Sequence, residues 1–299
     1  MIENSNKFKN PILIAEVGCN HKGDIEIAKK FIEVARDFCG LEYVKFQKRD
    51  PKSLLTEDEY NSPHPNTENS YGNTYGRHRE YLEFNIDEHK ELLNFCKKKD
   101  IKYSSSVWDI TSAKEICGLN PLFIKIGSAT NLDFPVLEYI CKNFKGKVHL
   151  SLGMTNKKEE DQIVTFFEKM NRNNDLILYA CTSAYPVDAS DVCLMEVKRL
   201  VEKYKYTNKV YDIGFSGHHK GIAFDIAAYT LGANYIERHF TLDRTWKGTD
   251  HAASLEPDGM RRLNRNLNSL YNALKYKDKD ILDIEISTRK KLKKVVFID

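Results

Sequence analysis

Between Ile213 and Pro257 the chain sets His218, His219, His239 and His251 among the carboxylates Glu237, Asp243, Asp250 and Glu256. Two short β-like runs, residues 210–216 and 234–239, flank a helix-like stretch at 221–231, and each run delivers a histidine at or just past its carboxyl end. Two neutral imidazoles at the ends of neighbouring strands can share one ion. With water in the remaining positions, His218 and His239 suit a divalent metal such as Mn²⁺, Co²⁺ or Zn²⁺. An open site of that kind polarises a carbonyl or activates a water. Taken singly, each histidine reads more simply as a capping or core residue; the pairing at matching positions favours the metal. His219 and His251 are then expected in supporting or surface roles.

Two lysines point to a second feature. Lys45 (in VKF) and Lys125 (in IKI) each sit between apolar residues near the end of a β-like run. Burying an ammonium there is costly unless an anion accompanies it. Ser106, Ser128, Ser151, Ser183 and Ser216 recur at or just past the ends of other runs, and their hydroxyls can donate to anionic oxygens without adding charge. Together they suit a substrate bearing phosphate and carboxylate. Glu16, at the end of the first run, can act as a base or orient a water.

The elements that must position these residues alternate along the whole chain. Strand-like runs are expected at 12–17, 43–47, 101–106, 122–127, 147–152, 176–181, 210–215 and 234–239. Helices are expected at 25–38, 87–99, 111–117, 135–143, 156–170, 191–204, 221–231 and 257–274, with Asp24 and Asn156 as caps and Pro257 in the first turn of the last. Eight such pairs in 299 residues predict an α/β fold, a (β/α)8 TIM barrel, over residues 1–275, with 276–299 as a tail. A doubly wound open sheet is the alternative, but the first turn, EVGCNHKGD, lacks its glycine-rich phosphate signature. In a barrel the strand ends converge on one face, where active sites lie. The polar connection at 48–85 is far longer than ordinary loops, so it is either disordered or functional.

Composition narrows the partners. A formal charge of +3, with lysines spread along helix faces, gives no case for nucleic acid. No segment reaches the apolar length of a membrane span, and the polar start MIENSNKFKN lacks a secretory core. Seven scattered cysteines without a CxxC pair suit reduced thiols and a cytoplasmic setting.

The stretches IAEVGCNHKGD, VKFQK, TYGRHREYLEF, FIKIGSATN, LSLGMT, CTSAYPV, GFSGHHKGIA and ERHFTLDRTWKGTDHAASLEP, in this order, resemble the sialic acid synthase family. The resemblance implies condensation of phosphoenolpyruvate with an amino-sugar aldehyde, N-acetylmannosamine-like or its 6-phosphate, to a nonulosonic acid with release of phosphate. It implies Lys45, Ser106, Lys125, Ser128, Ser151, Ser183 and Ser216 on phosphoenolpyruvate, and His218 and His239 on a divalent metal (Mn²⁺, with Co²⁺ or Mg²⁺ as alternatives). Glu16 would be the catalytic carboxylate, with His239 and Asp250 beside it and Tyr185 and Glu237 near the sugar. A homodimer is implied as well.

Two features depart from the family pattern. Thr130 stands where an acidic residue usually holds the sugar. The chain also ends at Asp299, near an expected linker, so the arginine of a further terminal domain is not expected. Arg77 or Arg79 of the long connection could replace it, or the acceptor could differ. Other readings are a synthase for another 3-deoxy-2-ulosonic acid, a non-catalytic barrel paired with a fuller synthase, and a metal-dependent aldolase or isomerase.

Overall fold

The structure is a computed structural model that describes residues 8–294; the two chain ends, at 1–7 and 295–299, lie outside it. Eight parallel strands close in sequence order into a barrel: β1 Ile12–Gly18, β2 Tyr43–Lys48, β3 Lys102–Val107, β4 Phe123–Ile126, β5 Lys147–Ser151, β6 Leu176–Cys181, β7 Asp212–Gly217 and β8 Tyr235–His239. This is the expected (β/α)8 TIM barrel. Helices wrap it: α1 Ile25–Glu33, α2 Pro51–Leu54, α3 Glu57–Asn61, α4 Tyr75–Leu82, α5 Ile86–Lys98, α6 Ile110–Leu119, α7 Phe134–Asn143, α8 Lys157–Lys169, α9 Met195–Leu200, α10 Ala223–Thr230, α11 Pro257–Ala273 and α12 Asp283–Leu292.

Strand periodicity sorts the side chains into two environments. Ala15, Val17, Val44, Phe46, Ile124, Ile126, Val148, Leu150, Leu178, Ile213 and Ile236 belong to the apolar core between barrel and helices. The alternate residues fill the lumen. Its lower part is aromatic: Phe123 stacks on His149 (3.9 Å between ring centres), and His149 Nδ1 meets the Tyr179 hydroxyl at 2.7 Å. Gly214 makes room for that tyrosine, since a Cβ there would lie 2.5 Å from the Tyr179 ring. The lumen layer above is charged and forms the candidate site.

Capping sets several helix starts. Asp24 accepts from Glu26 N and Ile27 N, Asn156 forms a capping box with Glu159, and Pro257 occupies the first turn of α11. One helix departs from expectation. The stretch 191–204 does not run as one helix, because Cys193 adopts a left-handed φ of 51° and α9 starts only at Met195. The 48–85 connection is ordered: it holds α2, α3 and α4, with Thr56 and Glu59 closing a capping box. The tail beyond α11 carries α12, an exposed helix.

His219 and His251 are not surface residues. Both are buried, His251 with Nδ1 2.7 Å from Thr241 Oγ1. His219 joins a fully buried lock between β8 and α10. There Arg238 Nη1 lies 2.5 Å from Asp225 Oδ2 and 3.0 Å from His219 Nε2, while Nη2 donates to the His219 carbonyl at 2.6 Å. Arg238 is flanked in sequence by Glu237 and His239, so the lock fixes the strand that presents them. Asp225→Ala would leave a buried guanidinium without its counter-charge. A loss of about 3–5 kcal/mol is expected from urea unfolding; an unchanged midpoint would show the lock to be dispensable.

Candidate active site

Four charged side chains occupy the upper lumen. Register places Glu16 of β1 beside Lys45 of β2 on one side and His239 of β8 on the other. Lys45 Nζ lies 2.5 Å from Glu16 Oε2 and 3.7 Å from Glu237 Oε1, and donates to Ser106 Oγ at 2.6 Å. Lys125 Nζ lies 3.2 Å from Glu237 Oε2 and 3.5 Å from the centre of the Tyr179 ring. All four are buried. Glu237 therefore spans both lysines.

Environment separates the two carboxyl groups. Burial works to raise both. At Glu237 the fields of Lys125 and Lys45 overcome it and pull the carboxyl down to about 2. At Glu16 burial prevails over Lys45, with Glu237 adding to it, and the carboxyl titrates above its ordinary value. Burial also lowers the Lys125 ammonium against the opposing pull of Glu237.

Hydroxyls ring this layer. Ser128 Oγ accepts from Gly153 N at 3.0 Å. The approach of the β4, β5 and β6 loops is so close that a Cβ on Gly153 would fall 2.2 Å from Ser183 Oγ and 2.6 Å from Ser128 Oγ. Ser151 and Ser216 are buried at the ends of β5 and β7, and Ser216 is in register with Glu237. Thr130 lies in the turn after β4 with its hydroxyl buried and no hydrogen-bond partner among the described residues.

The histidine pair stands beside the charged layer. The His218 and His239 ring centres are 5.5 Å apart. His218 Nδ1 meets the Thr182 carbonyl at 3.0 Å, which fixes its proton there and leaves Nε2 with a free lone pair. Burial first, then His239, pushes the His218 imidazole down to about 3, so it stays neutral. His239 Nδ1 is buried with no partner among the described residues. Tyr185 stacks over His218 at 4.1 Å, on a loop fastened by Val187 N donating to the His218 carbonyl at 3.1 Å. Among the described residues no three His, Cys, Asp or Glu side chains form a complete metal cage. Two imidazoles, one of them with an orphaned nitrogen, fit an ion whose other ligands come from water or substrate.

Asp250 approaches from the β8 loop. A Cβ on Gly18 would lie 3.4 Å from Asp250 Oδ2 and 3.5 Å from Glu16 Oε1, and Gly18 itself has a φ of 57°. Glycine is favoured there by the left-handed backbone conformation. Burial opposes ionisation of Asp250, but His239 and Arg49 win and hold its carboxyl below the usual value.

Several participants escaped sequence reasoning. Gln47 Nε2 donates to Glu16 Oε1 at 2.5 Å and is itself hydrogen-bonded by Arg49. Arg49 is buried, pairs with Glu83 Oε1 at 3.2 Å, reaches Cys19 Sγ at 3.3 Å and lies over the Trp108 ring at 4.3 Å. The signal was present in VKFQKRD, where Gln47 follows Lys45 by two residues and so faces the same side of the strand. Of the two arginines in the long connection, Arg77 is turned to Glu80 at 2.9 Å, whereas the field of Arg79 reaches Asp250.

A model of the NeuB family matches residues 31–279. The chain belongs to the NeuB family. Its similarity extends to N-acetylneuraminate-9-phosphate synthase of Mus musculus, 37% identical over 96% of this chain and 78% of the relative. N,N'-diacetyllegionaminic acid synthase of Campylobacter jejuni is 33% identical over 89% of this chain and 78% of its own length. Among solved structures, the N-acetylneuraminic acid synthetase of Leptospira borgpetersenii, in complex with citrate, superposes with a TM-score of 0.79 at 26% identity. That match covers 99% of this chain and 97% of the other.

Proposed function

We propose that the chain condenses phosphoenolpyruvate with a sugar aldehyde to a nonulosonic acid and releases phosphate. The observation that carries this reading is the buried Glu16–Lys45–Glu237–Lys125 layer, ringed by serines and adjoining the His218–His239 pair. The names of the relatives include both a phosphorylated and an unphosphorylated product, so the acceptor is an N-acetylmannosamine-like aldehyde or its 6-phosphate.

In this reading Lys45 and Lys125 take the phosphate and carboxylate of phosphoenolpyruvate, with Ser106, Ser128, Ser151, Ser183 and Ser216 donating to the same oxygens. C3 of the enol attacks the aldehyde carbon, and the aldehyde oxygen takes up a proton. Water adds at C2, loses its proton, and the tetrahedral centre expels phosphate by C–O cleavage. Glu16 is the residue suited to accept the proton of that water, since burial raises its carboxyl above the ordinary range and so strengthens it as a base, while Gln47 and Lys45 hold its two oxygens. Glu237 remains an anion and holds both lysines in place. Tyr185 and Asp250 border the space left for the sugar. A divalent cation, Mn²⁺ for preference, held by His218 and His239, would supply Lewis acidity to the aldehyde oxygen.

Further parts of the reading have separate support. The described residues contain no helix long and apolar enough to cross a membrane, and all seven cysteines are free thiols, which supports a cytoplasmic setting. The homodimer follows from the family resemblance.

Phosphate release should require both phosphoenolpyruvate and a sugar aldehyde, and Glu16→Gln should lower kcat by about 10²–10⁴-fold. Near-normal turnover in that variant would remove Glu16 from the proton transfer. For the cation, Mn²⁺ titration followed by electron paramagnetic resonance should show one site in the wild-type chain and none in His239→Ala. Unaltered binding in the variant would move the metal elsewhere.

A further inference from the structure

Arg79 of α4 is held in place without a counter-charge. Its Nε and Nη2 donate to the Tyr75 hydroxyl at 3.0 and 2.5 Å, and its guanidinium lies 4.9 Å from the centre of the Tyr75 ring. Among the described residues no carboxylate forms an ion pair with it, whereas neighbouring Arg77 pairs with Glu80. Lys247, on the β8 loop, also pairs with no carboxylate; its ammonium sits 5.1 Å from the centre of the Tyr71 ring.

The segments that carry these two cations are tied together at the barrel mouth. The Tyr71 hydroxyl donates to the Lys247 carbonyl at 2.6 Å, and Gly248 N donates to Asn69 Oδ1 at 3.2 Å. Buried His78 accepts from Tyr71 N at 3.1 Å through Nδ1. Burial, followed by His64, Arg79, Arg49 and Lys247, drives its imidazole down to about 4, so it adds no charge of its own. Acidic groups that could neutralise this edge are engaged elsewhere: Glu83 with Arg49, and Glu80 with Arg77. Asp250, which the field of Arg79 reaches, lies deeper, against Gly18 and Glu16.

An arginine whose side chain is already ordered and which forms no ion pair among the described residues is prepared for an anion that arrives with a ligand. Its planar fork suits the oxygens of a phosphoryl group. In the synthase reading the phosphoenolpyruvate anions are taken by Lys45 and Lys125 in the charged layer of the lumen, so a second anion would come with the other reactant. We infer that Arg79, assisted by Lys247, binds a phosphoryl group at the end of the acceptor sugar remote from its aldehyde, and thereby selects a phosphorylated sugar over its free counterpart. This rests on the condensing-synthase reading above.

The test uses the whole chain as wild type, Arg79→Gln, Lys247→Gln and, as a control outside the subsite, Arg77→Gln. Turnover is read as kcat/KM for N-acetylmannosamine 6-phosphate and for N-acetylmannosamine at saturating phosphoenolpyruvate. Binding of the 6-phosphate is read separately by titration calorimetry. Arg79→Gln should reduce the preference for the phosphorylated sugar by about 10- to 100-fold, through KM more than kcat. Lys247→Gln should reduce it less, because an exposed ammonium is screened by solvent, and Arg77→Gln should leave the ratio unchanged. Equal slowing of both sugars by Arg79→Gln, or a wild-type enzyme with no preference, would overturn the subsite. Absence of turnover with either sugar, alongside Arg79-dependent binding of the 6-phosphate, would overturn the synthase reading and leave the subsite standing. Absence of both turnover and binding would overturn both.

Discussion

Two ammonium and two carboxylate groups buried side by side in the lumen make the constraint on which the rest of the barrel depends. Taking each such ion out of water costs several kcal/mol, and only close mutual contact offsets it. Glu16, Lys45, Glu237 and Lys125 meet that condition, with distances from 2.5 to 3.7 Å between partners. The set matches two lysines with two carboxyl groups, and Glu237 touches both lysines. It is also poised for exchange, because the carboxylates hold lysines that an incoming phosphate or carboxylate can share.

The surroundings keep this layer from relaxing. Tyr179 presents its ring to Lys125 from below and is itself fixed by His149 and by the missing side chain of Gly214. From the side, Gln47 grips Glu16 and is held in turn by Arg49, which the ordered 48–85 connection anchors through Glu83. From outside the barrel, the Arg238–Asp225 pair secures the strand bearing Glu237 and His239. The candidate site is thus held by packing on three sides, with the open side formed by the β2, β6 and β8 loops.

Much of the barrel was legible because parallel strands buried on both faces read as near-continuous apolar runs, as LILYAC does, with polar residues such as Lys45 of YVKFQK admitted only toward the lumen. The lysines were legible for the opposite reason: a charge inside such a run demands a partner. What the residues alone did not show was which partner. Glu237 was placed near the sugar by resemblance, yet it bridges Lys45 and Lys125, a contact between strands β2, β4 and β8 that no local pattern encodes. Arg49 was missed because a basic residue just past a strand reads as surface charge until the 48–85 connection folds over it. That connection itself resisted reading because its helices are only a turn or two long and depend on caps such as Thr56 and Thr74 and on contacts with the β8 loop. For His219 and His251 the surface alternative failed for a similar reason and the supporting one stands, their burial being set by Arg238 and Thr241 at a distance in sequence.

The central claim is that Lys45 and Lys125, charged and held by carboxylates, form the anion floor that receives phosphoenolpyruvate. Titration calorimetry of phosphoenolpyruvate into the chain, with no aldehyde present, tests it most directly. One site per chain is expected for the wild type, with affinity lowered at least about tenfold in Lys45→Met and in Lys125→Met, since each loses a charge-assisted contact. Unchanged phosphoenolpyruvate affinity in both variants, with folding intact by circular dichroism, would contradict the account.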